Sequence, residues 1–170
     1  MATKLKILET ESLVLFTGDI YTQWLKCDIT IDDIVYNTNE QYMMWCKAIE
    51  FGDQETAKKI METNEPKEQK ELGRCVKNYD DARWSTVADI YVYKANYAKF
   101  YQHNDLKKRL LATGNKYISE CGTYDTRWSN GLSIEDASRL PQSEWKGTNR
   151  LGKILMRVRE DLRVEQLYFI

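Results

Sequence analysis

The sequence predicts a mainly α protein with short β-strands near its N-terminus. Three observations carry this. Apolar residues recur at helical spacing through most of the chain after residue 37, above all at Trp84, Val87, Ala88, Tyr91, Ala95 and Ala98. Helix-start residues stand before these runs. The stretches rich in Leu, Ile and Val with strand length lie ahead of them.

Taken in order, Leu13, Val14, Leu15 and Phe16 form an apolar run closed by Gly18-Asp19, which reads as a strand. Residues 27–36 carry Ile29, Ile31, Ile34 and Val35 around Asp32-Asp33, the pattern of a hairpin or small meander. Asn37-Thr38-Asn39 can cap a helix over 40–51 that Gly52 ends. Asp53 can cap the next, over residues up to 61, and Glu65-Pro66 opens a third, up to Gly73, with Pro in the favoured first turn. The longest helix is expected over 80–101. A short one follows from Asn104 or Asp105 with Leu106, Leu110 and Leu111, closed by Thr113-Gly114. Residues 117–120 read as a brief strand. Residues 121–147 read as a long polar connection, a length usually reserved for function or disorder. Gly147-Thr148 opens the last helix.

The chain has 170 residues, 25 Lys+Arg against 26 Asp+Glu, one His, four Cys, five Trp and eleven Tyr. That length fits a single domain over 1–170, able to bury its own core without disulfide or metal. A net charge of -1 argues against a general polyanion binder but leaves room for a local anion site. One His excludes a His-rich metal centre and chemistry needing two His; no metal and no cofactor is expected. Cys27, Cys46, Cys75 and Cys121 have no CxxC spacing and read as buried free thiols. With no secretory leader and no spanning stretch in the sequence, a cytoplasmic, membrane-independent setting is the expectation.

Three constellations can carry chemistry. Glu40 falls in a helix's first turn, where the dipole favours a carboxylate, and Asp125 in the long loop, where catalytic groups concentrate. Glycosidic bond hydrolysis needs carboxylates for such work; equally, Glu40 can merely complete a helix start and Asp125 be solvated. Arg83-Trp84 and Arg127-Trp128 offer indole faces for a planar base, although Trp84 sits on the apolar stripe and packing accounts for it as well. Lys146, Gly147, Thr148, Asn149 and Arg150, at a helix start, combine free N–H groups with cations as an anion site would; an ordinary cap uses the same geometry. Gly73-Arg74 ends a helix and offers a further cation. His103 is read as structural or exposed.

In the same order, these segments resemble the NADAR superfamily, also called YbiA-like proteins. The matching pieces are Asn39-Glu40-Gln41-Tyr42 with Lys47-Ala48; Leu72-Gly73-Arg74; Arg83-Trp84; Ala98-Lys99-Phe100 with Gln102; Leu110-Leu111-Ala112-Thr113-Gly114; Asp125 with Trp128; and Gly147-Thr148-Asn149-Arg150-Leu151-Gly152 with Leu155-Met156 and Arg159. Gln41 stands where the family usually has His, and Tyr21-Thr22-Gln23-Trp24 departs from its N-terminal pattern. The resemblance implies a compact helical domain and N-glycosidase activity on a C1′–N bond beside a phosphorylated ribose. The substrate class that the resemblance implies is a riboflavin-pathway ribosylaminopyrimidine phosphate or an ADP-ribose adduct of guanine, so nucleic acid is expected only as an ADP-ribosylated substrate. A non-catalytic ADP-ribose-binding module is the third alternative. On this reading Glu40 and Asp125 are catalytic, Trp84 and Trp128 wall the base, and Arg74 with residues 146–150 holds phosphate and ribose. The near-neutral charge leans towards the small-molecule substrate.

Overall fold

The computed structural model describes residues 6–168. The chain falls into two compact units: a central one, Gln23–Gln102, inserted in sequence into a terminal one built from the chain up to Thr22 and from His103 onwards. Each unit has its own packing.

In the central unit, β3 (Ile29–Ile31) and β4 (Ile34–Tyr36) pair antiparallel through a two-residue turn. Asp32 and Asp33 both take positive φ, 51° and 63°, as the mirror-image hairpin turn requires and as Asp tolerates. Helices α1 (Asn39–Glu50), α2 (Gln54–Glu62), α3 (Pro66–Arg74) and α4 (Asp81–Gln102) follow. Thr38 Oγ1 accepts from Gln41 N and Asp53 Oδ1 from Thr56 N, so the first two helices start at side-chain caps. Pro66 takes the first turn of α3. Helix α1 packs against α2, α3 and α4, and Ile29, Ile31, Tyr36, Tyr42, Cys46, Ala95 and Ala98 form a core between hairpin and helices. The expected stripe of α4 is buried at Trp84, Ala88, Ala95 and Ala98, with Val92, Asn96 and Lys99 buried beside it, while Val87 and Tyr91 are only half-buried.

In the terminal unit, β1 (Ile7–Glu9), β2 (Leu13–Phe16) and β5 (Tyr117–Glu120) form a sheet in the order β1-β2-β5. The first pair is antiparallel and the second parallel. Val14, Leu15 and Phe16 are wholly buried, as suits a central strand covered on both faces. Helices α5 (Asn104–Ala112), α6 (Ile134–Arg139) and α7 (Arg150–Tyr168) complete this unit; α7 packs on β5 and α5, and α6 on β2. Helix α6 corrects the expectation of an unbroken connection over 121–147. Ser133 Oγ caps it at Asp136 N, and Ile134 and Ala137 bury its apolar side against Leu15. Cys46 and Cys121 are buried, and burial pushes their thiols up to about 12 and about 11, so both stay protonated at neutral pH. Cys75 is exposed and Cys27 half-buried, contrary to the buried expectation; Cys75 caps the end of α3, outside the packed face. No helix among the described residues is long and apolar enough to cross a membrane.

Candidate functional site

Each unit carries its own candidates. In the central unit, Glu40 sits in the first turn of α1 and is 5% exposed. Trp24 Nε1 donates to its Oε2 at 3.3 Å, and its backbone N–H donates to Gln23 O at 3.0 Å. A carboxylate here is favoured by the helix dipole and by an indole N–H, the two terms that offset part of its desolvation. Gln41 is taken up by backbone: its Oε1 accepts from Asn37 N, and its Nε2 donates to Ile60 O and Thr63 O. It fastens the chain around α1 and has no side-chain group left for chemistry.

Behind Glu40 lies a buried polar layer. Asn39 Nδ2 donates to Asn96 Oδ1 at 3.0 Å, joining the start of α1 to α4. One turn further along α4 stands Lys99, wholly buried, its amine lowered by desolvation to about 7, with the neighbouring Cys27 acting weakly the other way. A lysine that is half uncharged at neutral pH is a functional candidate that the sequence reading missed. The signal was present: Lys99 lies four residues after Ala95 on an otherwise apolar stripe.

Trp84 is 4% exposed and its ring lies stacked on Tyr91 at 5.8 Å between centroids. Arg74, last residue of α3, is exposed. Beside it, Lys47 Nζ donates to Gly73 O at 2.7 Å and lies 3.9 Å over the Tyr79 ring. Gly73 packs against α1: a Cβ there would meet the Met44 side chain at 2.0 Å and displace it.

In the terminal unit the loop after β5 is folded by Asp125. Its Oδ1 accepts from Arg127 N at 2.9 Å and Trp128 N at 2.8 Å, an Asx turn. Ser129 Oγ donates to the Gly122 and Asp125 carbonyls. Trp128 is half-buried, and the Arg150 guanidinium lies 4.7 Å over its ring, a cation–π pair that holds the indole.

The start of α7 departs from the expected anion cradle. The N–H groups of Gly147, Thr148, Asn149, Arg150 and Leu151 donate to the carbonyls of Asn130, Thr126, Ser129, Arg127 and Trp128 in turn. Helix starts need such partners, and the loop supplies them for residues 147–151, so these five donors are not left for phosphate. Thr148 Oγ1 donates to Arg127 O, and Asn149 bridges strand β5 by accepting from Glu120 N and donating to Ile118 O. Asn149 does this from a left-handed φ of 51°, which Asn tolerates. Of the expected anion set, the exposed Lys146 and half-buried Arg150 side chains remain as cations. Gly147 also has a packing reason rather than a ligand one. A Cβ there would come within 2.2 Å of Ser129 O and 2.8 Å of Asn130 C. Gly147→Ala is therefore expected to cost about 1–3 kcal/mol by overpacking and to lower the thermal midpoint by several degrees, read by circular dichroism. An unchanged midpoint would show that the loop yields freely.

A family model described as NADAR domain matches residues 15–163. An N-glycosidase of Acanthamoeba polyphaga mimivirus is 38% identical over 167 residues, which cover 91% of this chain and 98% of that protein. N-glycosidase YbiA of Escherichia coli is 30% identical over 149 residues, covering 88% and 84%. The NMR structure of the Escherichia coli protein YbiA superposes with a TM-score of 0.77 at 27% identity, covering 99% of this chain and 95% of that one. The likeness extends over both units.

Proposed function

The chain belongs to the NADAR domain family and is an enzyme of the N-glycosidase class, and we propose that the bond it hydrolyses is the C1′–N bond between a base and a phosphorylated ribose, in ribosylaminopyrimidine phosphates of the riboflavin pathway. The observation that carries this reading is Glu40, a buried carboxylate at a helix start, held by an indole N–H. Breaking a C1′–N bond builds positive charge on the sugar, and a desolvated carboxylate stabilises that charge far better than a solvated one. Water adds its oxygen to C1′ as the C1′–N pair withdraws onto nitrogen. Glu40 takes the water's proton and passes it to the departing nitrogen, so that the amine leaves neutral and the carboxylate is restored. Lys99 supplies an amine that is largely uncharged just above neutral pH, the form that accepts a proton.

In the terminal unit, taken by itself, Trp128 is a candidate for stacking on a base, and Lys146 with Arg150 for binding a phosphate. Asp125 keeps one oxygen for the turn that presents Trp128. Arg74 is a further phosphate candidate in the central unit. The reading is tested by incubating the purified chain with ribosylaminopyrimidine phosphates and, separately, with guanine-ADP-ribosylated oligonucleotide. Release of ribose 5-phosphate from the first is the expected result. Release of ADP-ribose from the second alone would move the substrate to nucleic acid, and binding of ADP-ribose with turnover of neither would leave a binding module.

A further inference from the structure

The amide layer behind Glu40 leaves two hydrogen-bonding atoms unmet, and their identities follow from one backbone carbonyl. Val92 O can only accept, so the Asn96 atom 2.8 Å from it is Nδ2. Asn96 Oδ1 then faces Asn39 and accepts from its Nδ2 at 3.0 Å. Gln23 Oε1 accepts from both amides, from Asn96 Nδ2 at 2.8 Å and from Asn39 Nδ2 at 3.2 Å. Every flip is thereby decided. What remains is one donor, Gln23 Nε2, and one acceptor, Asn39 Oδ1, both buried and without a partner. Gln23 is 8% exposed and Asn39 1%.

Leaving a buried polar atom unmet costs about 1–3 kcal/mol, and native folds rarely do so without reason. Here two such atoms belong to hydrogen-bonded neighbours, and both neighbours adjoin Glu40. Asn39 precedes it in the chain, and Gln23 O accepts its backbone N–H. A hydroxyl group is matched to such a pair, since one oxygen accepts from an amide N–H and donates to an amide carbonyl.

We propose that Gln23 Nε2 and Asn39 Oδ1 form a hydroxyl-binding site that recognises the sugar of the substrate beside Glu40. This rests on the N-glycosidase reading, and it identifies the feature that would make the enzyme require ribose. A sugar lacking the bound hydroxyl leaves both amides unpaired in the complex, which is how buried polar sites reject deoxy analogues.

The test follows the side-chain amide resonances of Gln23, Asn39 and Asn96 in the isotope-labelled chain during titration with ribose 5-phosphate, and in parallel with its 2-deoxy and 3-deoxy analogues. With ribose 5-phosphate the Gln23 and Asn39 signals are expected to shift, and the already satisfied Asn96 signals to move less. Removing one of the two hydroxyls is expected to weaken binding by at least about tenfold. Equal affinity for all three sugars, shifts confined to other residues, or no binding would overturn the proposal and leave ordered water as the occupant. Gln23→Glu keeps Oε1 for its two amide partners and replaces only the donor, so it is expected to lose the preference for ribose while its thermal midpoint shows that it folds. A retained preference in the folded variant would equally overturn the site. Hydrolysis is scored separately. Ribose-selective binding without N-riboside cleavage would refute the proposed activity alone, and cleavage indifferent to both hydroxyls would refute this site alone.

Discussion

Glu40→Gln is expected to lower kcat by about a hundred- to ten-thousandfold while leaving substrate binding nearly unchanged. The substitution keeps shape and keeps an oxygen for the Trp24 indole N–H. It removes the negative charge, which is the property the transition state uses. Because that charge is buried, its loss is not expected to destabilise the fold, and the thermal midpoint should stay or rise. The measurement is a steady-state assay beside a direct binding titration. Full activity in this variant would take Glu40 out of the mechanism, and a parallel loss of binding would make it a binding group.

Lys99→Met is expected to act in opposite directions on stability and on turnover. An unfolded lysine titrates near 10.5, while the folded one is lowered to about 7. Between these values the unfolded chain binds more protons, so this group makes stability rise with pH from about 7 to about 10.5. Below about 7 the burial cost is carried in full. Replacing the amine by a thioether of similar length is expected to stabilise the protein at pH 7 by at most about 4 kcal/mol, less whatever contacts the amine itself makes. It should also flatten the rise in stability above neutrality. Urea unfolding at pH 6, 7 and 9 reads both effects. Turnover by the variant is expected to fall, and to lose any inflection near pH 7 that the parent shows. Equal stability and an unchanged pH slope would mean that Lys99 is not held uncharged. A gain in stability with full activity would leave it a packing residue.

The contrast between the two residues shows which features were legible. Glu40 could be singled out from the chain because a capped helix start is a local pattern, and Thr38 caps α1 where Asn37-Thr38-Asn39 was expected to do so. Asp53 and Pro66 mark α2 and α3 for the same reason, and the brief strand expected over residues 117–120 is β5. Lys99 carried a weak signal, a cation on an apolar stripe, which composition alone would place in solvent. For Trp84 the structure adds a packing partner, the Tyr91 ring.

Caps, turns and apolar periodicity act between residues a few positions apart, so the sequence by itself determined the helices other than α6, the Asp32-Asp33 hairpin and the family resemblance. Partners of polar groups are set by residues distant in the chain, and these only the tertiary structure decided. It paired β2 with β5 across about a hundred residues. It spent the N–H groups of residues 147–151 on the carbonyls of 126–130, turning an expected anion cradle into a packed helix start. It left Gln23 and Asn39 each one bond short beside Glu40. A hydrogen bond is a property of two groups brought together, and one position in a sequence specifies only what it can offer.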